Sequence, residues 1–573
     1  MKKFLKTYQK IFFLQILFAI YGHCNNIHLE KISDLYVPFS YTEAGAPVFT
    51  LVGGAAEQLA YDPQDKIVYI VGASKLNVVD ISNVDKPEIL FHEILGDFDP
   101  TDVEVCGDHV FVALDNNQNR EAGRVVVFKK YDKKYNTMEA VLNITVGPLP
   151  DMLLPSSNCS TVLIALEAEA FARDGKLVDP EGGVGLLKFH GQSTSASHYS
   201  YKRLNFHNFN DRWADLSKSG VRFIYKENNN TFSQDLEPEY ITYSKDEKKA
   251  YICLQENNAI AEVDLETANI TAIHGLGFKN WRNAKLDASD KDHGIHIRPL
   301  PVFGMYQPDS IHIMDFKNVE YLIMANEGDI KDYSEYPLHM TGFSEVVRAK
   351  DITLSNNSDV ITWAKENNIR NIMDDSNLGR LHITKESGRL PDGTFDKLYT
   401  FGGRGFSIWR ADTMTKVYDS GSSVEDTLSQ SRPDLFNADA KKIHKVVKNT
   451  MDSRSDDKGP ESESIAVAHE GNRIIVFLGN ERPGSISIYS FNGDISTPHF
   501  ESVFWNIPNS EVPWTEAFNQ QTISCIDPED IKYIPPHQSP NGRPLLLVAG
   551  SVSGTLSILE IKGTNIPIQK VLG

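Results

Sequence analysis

Short apolar runs recur along the chain, and each has the length of a β-strand. Seven of them read IVYIVGAS, HVFVALDNN, VLIALEAE, AYICLQENN, YLIMANEGD, IIVFLGNE and LLLVAGS. A short strand precedes each run after a turn signal that usually contains proline, as in DPTDVEV. A third strand follows, as in GSISIYSF, and a weaker fourth is indicated by segments such as TKVYDSG. The pattern therefore predicts four-stranded antiparallel units.

Seven such units predict an all-β fold, a seven-bladed β-propeller. The first two units begin about 44 residues apart, a spacing typical of propeller repeats. A solenoid or a set of separate sandwiches would not explain a turn signal with an acid before each first strand. Longer intervals predict insertions at about 192–235, 330–400 and 424–457, and the last two contain helical patterns such as DVITWAKENNIRNIM.

Acidic residues mark the strand ends that meet at one edge of each unit. In an antiparallel pair, the start of the first strand lies beside the end of the second strand. These positions supply Glu57, Asp151, Glu239, Asp309, Glu463 and Glu529 from first strands, and Asp115, Glu167, Glu256, Glu327 and Glu481 from second strands. Because innermost strands line a propeller axis, up to eleven carboxylates are predicted to converge on the channel mouth.

Crowded carboxylates are unfavourable unless they are solvated, protonated or neutralised by a cation. Carboxylate oxygens, together with the nearby amide oxygens of Asn326 and Asn480, are ligands that calcium prefers. Few His or Cys residues accompany them, which disfavours zinc or copper. The predicted calcium ligands are Glu327, Asp329, Glu256, Glu481, Glu167 and Asp309. The alternative is structural, because an acid after proline can accept backbone N–H groups and hold adjacent units in register.

The N-terminus predicts secretion. Basic residues precede the apolar run of residues 11–20, and a small-residue site follows, so residues 1–24 are expected to be a signal peptide and 25–573 a single domain. No later stretch resembles a membrane span or a lipid-anchor tail. Five sequons begin at Asn143, Asn158, Asn229, Asn269 and Asn356. Cys106, Cys159, Cys253 and Cys525 allow two disulfides in any of three pairings, or buried free thiols.

The net charge of -20 argues against nucleic acid as a partner, because phosphates require a basic surface. An acidic secreted protein suits cations, cationic surfaces or simple solubility.

Several long motifs resemble a known family. They are LDASDKDHGIHIRPLPVFGMYQPDSI, LIMANEGDIKDYSEY, LGRLHIT, YTFGGRGFSIW, DDKGPESESIAV and PNGRPLLLVAGSVSGTLSI. These resemble the mesenchyme-specific cell-surface glycoproteins of biomineralising animals and their bacterial relatives, the choice-of-anchor I proteins, from about Val48 to Ile561. The resemblance implies a secreted or surface propeller glycoprotein of calcified shell or skeleton, which interacts with calcium, mineral or other matrix proteins. Members can be lipid-anchored, whereas this C-terminus has no such signal.

Two other functions compete with a calcium-binding matrix protein. Some bacterial relatives are labelled alkaline phosphatases, which suggests a calcium-dependent phosphoesterase that uses the same carboxylates. Arg404, Arg454 and Arg482 are candidates to hold a phosphate, but no alkaline-phosphatase-like nucleophile accompanies them. The third function is a protein-interaction scaffold.

Overall fold

The computed structural model describes residues 26–568, except 118–119, 191–197, 335, 337–340 and 508. The predicted signal peptide, residues 1–24, lies outside the described residues. Strands dominate the described chain and its helices are short, which confirms the all-β prediction.

Within the described residues, seven four-stranded antiparallel sheets form the body of the protein. In chain order, sheet A contains Gln58–Asp62, Ile67–Gly72, Lys75–Asp80 and Glu88–Ile94. Sheet B contains Phe98–Cys106, His109–Asn116, Arg124–Lys129 and Ala140–Thr145. Sheet C contains Pro150–Pro155, Thr161–Leu166, Gly183–Phe189 and Tyr199–Leu204. Sheet D contains Pro238–Tyr243, Lys249–Leu254, Ala259–Asp264 and Asn269–Gly275.

The last three sheets follow the same plan. Sheet E contains Ile311–Phe316, Val319–Asn326, Gly405–Arg410 and Thr415–Asp419. Sheet F contains Ser462–Glu470, Arg473–Asn480, Ser485–Asn492 and His499–Trp505. Sheet G contains Pro528–Ile534, Leu545–Gly550, Thr555–Lys562 and, at its edge, the N-terminal strand His28–Tyr36. The two ends of the described chain are therefore joined in one sheet.

In each sheet, the first strand given above is called the inner strand, and the next one the second strand. Each inner strand contacts the inner strand of the following sheet, and the inner strand of sheet G contacts the inner strand of sheet A. The second strands are buried on both faces, as in Ile67–Gly72, because each packs between neighbouring sheets. This double burial explains why their sequences are continuous apolar runs instead of alternating patterns.

Short strands and short α-helices lie outside the seven four-stranded sheets. Minor strands are Ser40–Tyr41, Pro47–Val48, Phe171–Arg173, Lys176–Val178, Phe278–Asn280, Phe303–Met305, Val346–Arg348, His382–Thr384 and Tyr399–Thr400. The α-helices are Trp213–Leu216, Phe232–Asp235, Asp359–Glu366, Ser423–Ser431 and Trp514–Asn519. Ser358 caps the helix Asp359–Glu366, since its hydroxyl accepts the N–H of Ile361 at 3.2 Å. Four of these five helices lie within or at the edge of the three segments predicted as insertions.

The four cysteines in the described part of the chain form one disulfide, between Cys106 and Cys159. It joins the end of the inner strand of sheet B to a turn of sheet C. Cys253 and Cys525 are buried free thiols, so the expectation of a second disulfide is wrong for this pair. The reason is their location, because Cys253 packs beside Tyr306 whereas Cys525 lies in a different core cluster.

The five sequon asparagines are exposed in the described structure. Asn143 and Asn269 lie on the outermost strands of sheets B and D. Each position is accessible to a glycan, and occupancy remains a prediction.

The disulfide closes a segment with a sequence separation of 53 residues. Replacing both cysteines with serine is expected to lower the free energy of unfolding by about 2–4 kcal/mol, because the unfolded chain loses a constraint. Chemical denaturation of the variant and the parent protein measures this difference. Non-reducing peptide mapping is the control: a peptide that links Cys253 to Cys525 would contradict the assigned pairing.

Candidate functional site

The inner strands carry a β-bulge where the acidic residues occur. Five of the seven sheets show this irregularity at the start of the inner strand. The bulges contain Thr101, Asp151, Glu239, Glu463 and Glu529. A bulge breaks the strict alternation of side chains and re-aims one of them. A strand that is otherwise buried can therefore present a carboxylate at its end.

The acids that hydrogen-bond one sheet to the next are not the bulge residues but their neighbours in sequence. Asp102 accepts the backbone N–H of Leu153 from the next inner strand at 2.7 Å. Asp530 likewise accepts the N–H of Leu59 at 3.1 Å. Both follow the bulge residue directly, so the structural role expected for an acid after proline belongs to Asp102 and Asp530. In the described structure, no neighbouring N–H donates to the side chains of the bulge residues Asp151, Glu239 and Glu463.

The second strand of sheet E ends in the turn Asn326-Glu327-Gly328-Asp329. Gly328 has a φ of 95°, and a Cβ atom there would lie 2.3 Å from the backbone nitrogen of Gly402. Only glycine fits this close approach. The turn consequently places Glu327 and Asp329 at the same end of the sheet as the bulged acids.

The acids from the strand ends lie close enough across sheets to raise one another's pKa. The end of the protein where they meet is called the mouth below. Burial, together with repulsion from Asp99 and Asp527, raises the pKa of Glu57 to about 7. Burial also raises the pKa of Asp309, with added repulsion from Glu327 and Asp151. These groups belong to different sheets, so the repulsion reaches across the mouth.

One half of the mouth contains Glu167, Glu239 and Glu256, from sheets C and D. One carboxylate oxygen of each lies within 4.8 Å of the others. Burial, Glu256 and Glu167 together hold the pKa of Glu239 well above its usual range. Burial raises the pKa of Glu256 to about 7 despite the opposing effect of Lys331. Lys331 itself lies 2.7 Å from the carboxylate of Glu237.

The other half contains two further groups of three carboxylates. One group is Glu327, Glu461 and Glu481, and the other is Glu463, Glu481 and Asp527. Here the chain supplies cations, because Arg454 lies 2.7 Å from Glu461 and Arg482 lies 3.4 Å from it. Lys458 pairs with Glu327 and lies 3.7 Å from Glu461. Arg482, Lys458 and Arg454 together hold the pKa of Glu461 well below its ordinary value.

A cavity of about 730 Å³ opens beside this second half. Its lining includes Asp329, Glu463 and Glu529 as well as Lys458 and Arg482. The predicted ligands are thus divided. Glu167 and Glu256 lie in the first half, and Glu327 and Glu481 lie in the second. Asp309 and Asp329 belong to none of the three-carboxylate groups, although both are electrostatically coupled to Lys458.

Sequence reasoning missed the cations that compensate the acids, and also missed Glu461. Lys331 follows two residues after Asp329, and Arg482 directly follows Glu481. Their closeness in sequence was visible, but their pairing depends on contacts between distant segments.

The three arginines considered as phosphate ligands are engaged within the protein. Arg404 is fully buried and donates to Glu425 at 2.8 Å and to backbone carbonyls. Arg454 and Arg482 bind the carboxylates described above. A phosphate would have to displace these partners, so the arrangement does not favour phosphoester binding by these residues.

Replacing Lys458 with methionine is expected to lower the free energy of unfolding at pH 7.5 by about 3–5 kcal/mol, because buried carboxylates lose their partner. The matched control is Lys441→Met, whose side chain is 54% exposed and lies 3.4 Å from Glu481. Its loss should cost no more than about 1 kcal/mol. Urea unfolding of both variants measures the difference, and equal costs would contradict the compensating role of Lys458.

The penalty should also depend on pH. Glu461 has a depressed pKa in the folded protein, so its contribution to stability is fully present above its ordinary value of 4.5 and is lost as the pH falls through its folded pKa. The Lys458→Met penalty is therefore expected to shrink progressively below pH 4.5, and urea unfolding at a series of pH values below 4.5 tests this.

Among the described residues, no helix combines the length and apolar character needed to cross a membrane. The choice-of-anchor I domain model matches residues 57–494. Gigasin-3a of Magallana gigas is 49% identical over 208 residues, 36% of this chain and 73% of that protein. Mesenchyme-specific cell surface glycoprotein of Strongylocentrotus purpuratus is 33% identical over 338 residues, 54% of this chain but only 43% of that protein.

Solved structures give a distant likeness. The β-propeller domain of Myceliophteria thermophila Cps50 (Swd1) aligns with a TM-score of 0.41 at 8% identity, over 93% of this chain and 100% of that one. The N-terminal domain of Nup159 aligns with a TM-score of 0.40 at 9% identity, over 94% and 96%. The family match covers more than half of the chain and includes most of the acids of the mouth. The chain belongs to the choice-of-anchor I domain family.

Proposed function

We propose that this protein is a secreted, acidic, seven-bladed propeller glycoprotein of calcified extracellular matrix, which binds calcium or mineral through the carboxylates of the mouth. The observation that carries the proposal is the convergence of buried, mutually repelling carboxylates from most of the sheets at one end of the protein. Such a group is stabilised by a hard cation with oxygen ligands.

The arrangement of the sheets supports seven blades. There are seven four-stranded sheets in the described chain, and their inner strands contact one another in cyclic order. The N-terminal strand completes sheet G by pairing with Thr555–Lys562. Joining the first and last strands in one sheet is a usual way to close a ring of blades, because it leaves no sheet with an open seam.

An extracellular location is supported by the relatives and by the surface. The S. purpuratus relative is named as a cell-surface glycoprotein. A disulfide and five exposed sequons suit an oxidising, secretory environment. Association with mineral rests on the family resemblance together with the acidic mouth.

Calcium is expected to change how stability depends on pH. Glu57 and Glu256 have folded pKa values of about 7, above their ordinary value of 4.5. Their stabilising protonation is therefore present at low pH and is lost as the pH rises toward 8. Without calcium, the melting temperature should fall between pH 5 and pH 8 as these groups ionise.

Calcium at a hundred times its dissociation constant should restore about 2.7 kcal/mol at pH 8. For a chain of this size that corresponds to a rise of about 2 °C in melting temperature. Thermal unfolding with chelator, calcium or magnesium measures the effect, and an unchanged melting temperature in calcium would leave a scaffold as the remaining function. Release of phosphate from a phosphoester in the calcium sample would instead identify a hydrolase.

A further inference from the structure

The two halves of the mouth differ in how their charge is balanced. In the half with Glu461, three side chains of the same protein, Arg454, Lys458 and Arg482, contact the carboxylates. In the half with Glu167, Glu239 and Glu256, the nearby cations pair with other acids: Lys331 with Glu237 and Asp235, and Arg222 with Glu345. Among the described residues, no ion pair joins a cation directly to the carboxylates of Glu167, Glu239 and Glu256.

We infer that Glu167, Glu239 and Glu256 form one discrete site for a divalent cation, with calcium as the ion that fits it. This inference rests on the proposed calcium-binding function and assigns it to one location. It also predicts that the carboxylates beside Lys458 and Arg482 are not that site.

Two buried carboxylate oxygens of this group have no hydrogen-bond partner. Oε2 of Glu239 and Oε2 of Glu256 are buried without a hydrogen-bond partner. Glu239 is 7% exposed and Glu256 is 5% exposed, so water cannot readily solvate them. A buried carboxylate oxygen without a partner is costly, and a coordinated cation would remove that cost.

The walls of the site hold it in shape. Arg222 donates to the backbone carbonyl of Glu256 at 2.8 Å and is itself paired with buried Glu345. Asn257 donates to Asp235 at 2.9 Å, which ties the end of the second strand of sheet D to the helix Phe232–Asp235. Contacts of the neighbouring backbone thus hold Glu256 in place, and its Oε2 atom is left without a hydrogen-bond partner.

The ligand set suits calcium better than magnesium. Calcium takes several protein carboxylates at once, whereas magnesium gives up its water reluctantly and is usually held by one or two carboxylates. The three oxygens lie within 4.8 Å of one another, close enough to share one divalent ion. Glu167 is only partly buried, so it leaves a side open to water ligands and to ion entry.

The surroundings reinforce the preference for a cation. Asp151, Glu237 and Glu256 each raise the pKa of Glu167 through repulsion. Asp309 and Asp151 act on Glu239 in the same direction. A divalent ion between the three carboxylates would relieve repulsion with residues beyond its direct ligands.

The test is a calorimetric titration of the full secreted protein with calcium alone, and separately with magnesium alone, at pH 7.5. The parent protein is expected to bind one calcium ion more tightly than any others, and to bind magnesium at least about tenfold more weakly. Glu239→Gln/Glu256→Gln should lose this tight binding. Glu167→Gln, at a partly exposed position where misfolding is less of a risk, should weaken it at least about tenfold.

The matched control is Glu262→Gln in sheet D, whose carboxylate pairs with Lys249 at 2.8 Å, away from the mouth. It should bind calcium like the parent. A second readout separates the site from a general folding defect, because the metal-free double Gln variant should melt at or above the parent temperature at pH 8, having lost buried repulsion.

The outcomes distinguish the site from the wider function. If the parent protein binds no calcium, both the proposed function and this inference fail. If Glu463→Gln abolishes tight binding while Glu239→Gln/Glu256→Gln retains it, the mouth binds calcium but this assignment is wrong. Only weak, multiple binding would likewise overturn the discrete site and leave a diffuse acidic face.

Discussion

The burial of like charges at one end of the inner strands is the constraint on which the rest of the structure depends. The bulges at Asp151, Glu239, Glu463 and Glu529 put carboxylates where the strands converge. Carboxylates so placed raise one another's pKa and oppose folding at neutral pH. Every nearby element must therefore either compensate this charge or keep it accessible to solvent and ions.

The repeats and the insertions divide this task between them. The repeated strands supply the acids, whereas most of the cations described above come from non-repeated segments; Arg482, just after the second strand of sheet F, is the exception. Arg222 lies in the first predicted insertion, Lys331 in the second and Arg454 in the third. Lys458 is the first residue after the third insertion. The insertions thus do more than extend loops, because they deliver opposite charge to the end of the protein where the repeats concentrate acids.

This division also explains what could be predicted from the sequence. The strands and their acidic ends repeat, so periodicity was enough to place Glu57, Glu239 and Glu529 at one end. Asp102 and Asp530, which hydrogen-bond one sheet to the next, directly follow bulge residues in sequence. Only the strand register shows which of the two neighbours has which role. The partners of Glu461, the closing strand His28–Tyr36 and the separation of Cys253 from Cys525 depend on long-range contacts that no local pattern encodes.

Compensation within the chain limits what an ion can contribute. Where Arg454, Lys458 and Arg482 already surround Glu461, an added cation would meet cations and gain little. Where Glu167, Glu239 and Glu256 meet without such partners, the same ion would relieve repulsion in a buried and weakly screened setting. Eleven acids at strand ends therefore do not amount to eleven equivalent ligands. The positions of the chain's own cations decide which of these carboxylates remain available to an added ion.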